Sequence, residues 1–285
     1  MQPLRRFDLD AAILFSDLLI PVFALGIRFD IVEKRGPVLD RPLRCAADVD
    51  ALPSPDLSQV SYVFETVRLM HQGIEDLGRA IPVIGFTGAP FTVASYLIEG
   101  EPSRAFQNTK LMMYREPQVF DRLLDRLADL AIVYAREQVA AGVRAVQIFD
   151  SWVGCLSPRE YRRHVLPPTR RVFEAIRGMG VPAIHFATLG ESLLDLMAEA
   201  GGDVISVDWR IPLSTVRERH PGRAIQGNLD PLALMAPPDV LRRMIADVLA
   251  DAGPAPGHIF NLGHGILPDT PPEAVSLLLD IVHQY

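Results

Sequence analysis

Seven short apolar runs recur along the chain, each separated from the next by enough residues for a crossover helix. They are 11–17 (AAILFSD), 82–87 (PVIGFT), 145–150 (AVQIFD), 182–186 (PAIHF), 204–208 (VISVD), 224–227 (AIQG) and 258–261 (HIFN). Apolar runs this short read as strands covered on both faces. Between them, residues 59–73 put Val60, Val63, Phe64 and Val67 on one helical face. Residues 117–141 open with proline, stop at Gly142 and carry the stripe Phe120, Leu123, Leu124, Leu127 and Leu130. Residues 192–200 end at Gly201-Gly202, and 238–249 form another helix. The last helix opens at Thr270-Pro271-Pro272-Glu273, a capping-box spacing. Alternating strands and helices predict an α/β fold with a parallel sheet.

A closed barrel of this kind needs eight strands, because shear and tilt are set for that number. Seven runs therefore predict a (β/α)8 TIM barrel apparently missing its first βα unit, which would precede Met1. Residues 1–9 then read as the end of a helix leading into the first visible strand. An open doubly wound sheet is the alternative. The Pro/Gly-rich excursion at 29–42 predicts a hairpin or loop on the catalytic rim. No interdomain linker interrupts the chain, so residues 1–285 read as one domain.

Of the 285 residues, 49% are hydrophobic, which is ample for a core. No window reaches the apolar length of a membrane span. The N-terminus MQPLRRFDLD lacks the apolar segment of a secretory signal. Two cysteines, Cys45 and Cys155, make a disulfide framework unexpected and fit a cytoplasmic setting. No Cys/His cluster offers the three or four ligands of a zinc site. The net charge of −7 argues against nucleic acid, and it requires that any anionic ligand be held by local donors.

Every strand run closes on a polar residue or glycine: Asp17, Thr87-Gly88, Asp150-Ser151, His185, Asp208, Gly227-Asn228 and Asn261-Leu262-Gly263-His264-Gly265. Such a ring at the C-terminal ends of barrel strands is how these folds build a site. Asp17 is followed by Leu18, Leu19, Ile20, Val22 and Phe23. A carboxylate amid that hydrocarbon needs donors from the protein or from a ligand. Capping of the following turn is the other reading. Gly88-Ala89-Pro90 starts a short helix with Tyr96 about two turns in, either a half-buried packing residue or a site hydroxyl. Ser151 has no histidine at hydrogen-bonding spacing, so it reads as a donor to a ligand and not as a nucleophile. His264 between two glycines fits a phosphate cradle, a histidine aimed at a carboxylate, or a structural histidine in a tight turn.

The stretches QPLRRFDLDAAILFSDLL (2–19), GFTGAPFTVASYLIEG (85–100), QIFDSWVGCLSP (147–158), IQGNLDP (225–231) and FNLGHGILPDTPPEAV (260–275) together resemble the uroporphyrinogen decarboxylase family of tetrapyrrole biosynthesis. They run the length of the chain in order. The resemblance implies a single (β/α)8 barrel, usually a homodimer, that works without metal or organic cofactor. The implied substrate is uroporphyrinogen, a small-molecule macrocycle with pyrrole N–H groups at its centre and carboxylates at its rim. Its acetate carboxylates leave as CO₂ to give coproporphyrinogen. The resemblance gives Asp17 the catalytic place as acceptor of the pyrrole N–H groups, with Ile13, Leu14 and Phe15 packing on the macrocycle. Tyr96, Ser151 and His264 match positions that bind the substrate, and Phe149 matches an apolar wall.

One family element has no match. The turn Arg-Gln-Ala-Gly-Arg-Tyr, whose arginines bind substrate carboxylates, belongs to the βα unit that the strand count lacks. Arg5 and Arg6 match another part of the pattern and do not stand in for it. A start codon placed too late, or a truncation, accounts for this. Two alternatives follow. Related barrel methyltransferases acting on corrinoid proteins or thiols bind zinc through His-x-Cys, which would fall at His185-Phe186-Ala187, where Ala187 cannot ligate. A barrel lacking a strand would alternatively be an inactive porphyrinogen-binding fragment.

Overall fold

A short helix, α1 (Gln2–Arg6), leads into strand β1 (Ala12–Ile13). The computed structural model describes residues 1–14, 16–33 and 35–285. Strand β1 is far shorter than the expected run 11–17. Its ladder to the next strand of the sheet ends with the Leu14 N–H donating to the Ile84 carbonyl at 2.9 Å. Asp17 therefore lies beyond the strand, in a turn that winds into a 3₁₀ helix (Ile20–Leu25). The excursion after it is the expected hairpin: β2 (Phe29–Val32) and β3 (Gly36–Leu39) pair antiparallel as a separate sheet. Helices α2 (Ala46–Asp50) and α3 (Ser61–Asp76) follow, and α3 buries Val63, Phe64 and Val67 as its periodicity predicts.

The βα repeat then proceeds through β4 (Val83–Gly88), α4 (Pro90–Glu99), α5 (Gln107–Arg115), α6 (Pro117–Ala141) and β5 (Ala145–Asp150). Helix α6 has the expected limits, and its predicted stripe is buried. Burial of each such leucine contributes about 1.5–3 kcal/mol. Helix α7 (Pro158–Glu160) passes through one π turn (Tyr161–Val165) into α8 (Leu166–Gly178). Pro167 and Pro168 lack the N–H groups that a regular α ladder needs, so a widened turn just before them loses little. The chain ends with β6 (Ala183–Ala187), α9 (Leu194–Ala200), β7 (Val204–Val207), α10 (Leu213–Arg219), β8 (Ala224–Leu229), α11 (Pro238–Ala252), β9 (His258–Leu262) and α12 (Pro272–Val282). The capping box expected at Thr270–Glu273 does not form. The helix starts at Pro272, which forces Pro271 into an extended conformation at the cap position, and Pro271 has no side-chain acceptor.

Among the described residues the main sheet has seven parallel strands in the order β1-β4-β5-β6-β7-β8-β9. It curls until inward side chains of non-adjacent strands meet: Gln226 Nε2 on β8 donates to Gln147 Oε1 on β5 at 3.3 Å and to Ser206 Oγ on β7 at 3.0 Å. The two ends of the chain approach each other as well. His283 contacts Asp10 at 3.2 Å, and Arg6 contacts Glu273 at 3.4 Å. Strands β1 and β9 are not paired with each other among the described residues. Their inward side chains Ile13 and Ile259 are 45% and 43% exposed. The architecture is thus a curled parallel α/β half-barrel with a seam between its first and last strands.

Candidate active site

Strand register decides which polar residues reach the interior. Phe86 pairs with Gln147, Phe149 with Phe186, Phe186 with Ser206, and Asn228 with Asn261, so these side chains share the inner face. Phe149 is half-buried there and lies edge-on to Phe86 at 5.9 Å and to Phe186 at 5.6 Å between centroids. Phe186 in turn meets His264 at 6.5 Å. A wall of rings therefore runs from β4 to the turn after β9.

The same parity turns other members of the predicted ring away. Thr87, Asp150 and His185 point outward and are buried beneath the helices. His185 Nδ1 donates to the Met197 carbonyl at 3.2 Å and its ring packs on Phe173, so it is a core histidine that does not face the cleft, with its Nε2 buried and unpartnered among the described residues. Asp208 is also buried and fully engaged: it accepts the N–H groups of Leu189 and Arg210 at 2.7 and 2.9 Å and pairs with the Arg210 guanidinium at 3.0 Å. Leu14 is buried on the outer side of β1 and cannot pack on a ligand in the interior, whereas Ile13 faces inward. Phe15 lies outside the described residues.

Asp17 is half-buried at the mouth. Its Oδ1 accepts the Leu19 N–H at 2.8 Å, and among the described residues its other oxygen has no protein donor. The capping reading is observed in the bond to Leu19, and it occupies only one of the two carboxylate oxygens. Burial pushes its carboxyl above the usual range, against the smaller opposing effect of the Leu19 N–H. Tyr96, half-buried on the second turn of α4, senses that carboxylate. Burial and the Asp17 charge together push its phenol up to about 12, so it stays a neutral donor. Its ring stands edge-on to Trp152 at 5.4 Å.

Ser151 and Trp152 lie in the turn after β5 and line an open cleft of about 860 Å³ with Thr188 and Leu189. The Thr188 hydroxyl donates to the Ser151 carbonyl and fixes that turn. Cys155 lines the same cleft, but burial pushes its thiol up to about 11, which leaves it protonated and a poor nucleophile. His264 is exposed, and its Nδ1 accepts the Gly265 N–H at 2.8 Å. In the neutral ring the proton then sits on Nε2, free to donate to an anion. Three backbone donors of this turn are engaged within the protein, which leaves few for a phosphate. Leu262 N–H bonds Asn261 Oδ1, Gly263 N–H bonds the Leu229 carbonyl, and Gly265 N–H bonds His264. Gly263 serves packing instead, since a Cβ there would sit 2.6 Å from the Trp209 nitrogen. Contacts join the predicted residues in separate groups: Asp17 lies near Tyr96, Phe149 reaches His264 through Phe186, and Ser151 lines the cleft beside Trp152, which packs on Tyr96. Sequence reasoning missed Thr92 and Thr188, whose roles depend on contacts between separate βα units.

Known proteins resemble this chain along nearly its whole length. The family model described as uroporphyrinogen decarboxylase (URO-D) matches residues 1–285. A uroporphyrinogen decarboxylase of Streptomyces coelicolor is 49% identical over 284 residues, covering 99% of this chain and 79% of the relative. One from Nocardia farcinica is 51% identical over 290 residues, covering 100% and 81%. Among solved structures, a methyltransferase from Methanosarcina mazei superposes with a TM-score of 0.80 at 20% identity, covering 96% of this chain and 80% of that one; this likeness shows the fold alone.

Proposed function

The chain belongs to the uroporphyrinogen decarboxylase family, and from that premise we infer that it converts uroporphyrinogen to coproporphyrinogen in the cytoplasm by removing acetate carboxylates as CO₂. The observation that carries this reading is the half-buried Asp17 near the Tyr96 phenol, with one carboxylate oxygen that has no protein donor among the described residues. Pyrrole N–H groups converge at the centre of a porphyrinogen and need a single acceptor, which a carboxylate offers. In each round a pyrrole carbon takes up a proton, and the C–C bond to the carboxylate breaks. CO₂ leaves, and the bonding electrons pass into the ring. The exocyclic carbon then takes a proton and the ring carbon gives one up, so one proton is consumed per CO₂. The fixed charge of Asp17 stabilises the cationic ring between these events. Tyr96, Ser151 and the Nε2–H of His264 hold substrate carboxylates in this scheme.

An eighth βα unit in the seam between β9 and β1 completes the barrel in this reading, as one domain and as a homodimer. The exposure of Ile13 and Ile259 on the two seam strands supports it. The family's arginine turn would follow that eighth strand and add cations to Arg35 and Arg104, which line the cleft beside Ser151. Anaerobic incubation with uroporphyrinogen, followed by chromatography of the oxidised porphyrins, tests the activity. Stepwise loss of carboxylates ending at coproporphyrin is expected. Tight binding with no CO₂ release would instead identify a porphyrinogen-binding protein.

A further inference from the structure

Behind the mouth, on the helix side of the sheet, sits a polar cluster that no ligand-facing role explains. Thr92, Asp150, Tyr161, Thr169 and His185 are all fully buried. Asp150 joins the cluster together, and the Thr92 hydroxyl is one of its partners. That hydroxyl donates to Asp150 Oδ1 at 3.2 Å and accepts the Trp152 N–H at 3.3 Å. The other Asp150 oxygen faces His185 Nε2 at 3.7 Å inside the core, and neither atom has a closer hydrogen-bond partner among the described residues. Burying this much polarity costs stability unless the groups serve one another.

The placement of these residues in the chain is informative. Thr92 is one helical turn before Tyr96 on α4, so the two side chains share a face. Asp150 immediately precedes Ser151 and Trp152. One hydroxyl therefore ties the start of the helix that carries Tyr96 to the turn that carries Ser151. It also fixes the backbone of Trp152, whose indole is the wall against Tyr96.

We propose that Thr92 is a positioning residue of the site: backed by the buried Asp150–His185 pair, its hydroxyl sets the spacing between Tyr96 and Ser151. This rests on the substrate-binding roles given to Tyr96 and Ser151 above. Loss of two hydrogen bonds that hold the binding groups in register predicts weaker substrate binding with little change in the chemical step.

The test compares Thr92→Val, which keeps the shape and removes the hydroxyl, with Thr92→Ser, which keeps the hydroxyl. Thr92→Val is expected to raise KM for uroporphyrinogen about tenfold, with kcat changed less than about threefold. Thr92→Ser is expected to restore KM, and Thr92→Val also to alter the near-ultraviolet circular dichroism of Trp152. A wild-type KM in Thr92→Val, or Thr92→Ser as impaired as Thr92→Val, overturns the proposal. If the unsubstituted protein shows no turnover, the function assigned above fails, and the Trp152 signal decides alone. An unchanged signal in Thr92→Val then overturns the positioning role, while a shift reversed in Thr92→Ser supports it.

Discussion

The imidazole of His264 stands edge-on to Phe186, 6.5 Å between centroids, while its Nδ1 is held by the Gly265 N–H. The backbone bond fixes the tautomer and the ring contact fixes the direction, so Nε2–H is presented with little orientational freedom. His264→Gln keeps a donor but loses the ring contact. It is expected to raise KM about tenfold with a smaller effect on kcat, checked by steady-state kinetics.

Asp17 is expected to trade stability for function. Burial raises its carboxyl, so between the ordinary carboxylate range and its native value the folded state binds more protons than the unfolded one. Stability contributed by this residue is therefore full at low pH and declines as pH rises through that window. Asp17→Asn keeps the acceptor for the Leu19 N–H and removes the charge. Thermal unfolding should show the variant more stable than the unsubstituted protein near neutral pH, with no difference in acid. Turnover should fall by about 10²–10³.

Glu160 behaves in the opposite sense. Partial desolvation works against its charged form, but the Tyr114 hydroxyl, the Ser157 N–H and hydroxyl, and Lys110 at 3.3 Å outweigh it and hold the carboxyl down to about 2. Its stabilising contribution is thus present above its ordinary value of 4.5 and is lost as pH falls from 4.5 towards 2. Glu160→Gln should remove that part of the acid sensitivity, read as a shallower fall of Tm with acidification. An equal slope in both proteins would contradict the assignment.

The layer formed by Gln147, Ser206 and Gln226 gives a separate test of the curled sheet. Gln226→Leu leaves the Gln147 and Ser206 groups unpaired in the interior and should cost about 1–3 kcal/mol. Replacing Gln147 and Gln226 together by Leu should cost less than the sum of the two single changes. A denaturant-unfolding double-mutant cycle that proved additive would deny their contact.

Local pattern determined a great deal of this protein. Apolar runs and stop signals located most strands of the parallel sheet and the whole of α6, because strand and helix periods are properties of adjacent residues. The motifs 85–100, 147–158 and 260–275 carried the family and brought Tyr96, Ser151, Phe149 and His264 forward as site candidates. What the sequence left open was facing and partnership. Asp150 and Ser151 are neighbours, yet one enters the core beneath the helices and the other lines the cleft, because successive strand residues alternate sides and only long-range register says which side is which. His185 looked like a rim residue for the same reason and is a core residue. Thr92 lies within the stretch 85–100, but nothing in that stretch set its side chain apart. Its importance arises only when α4 and the turn after β5, far apart in sequence, are packed within a hydrogen bond of one another.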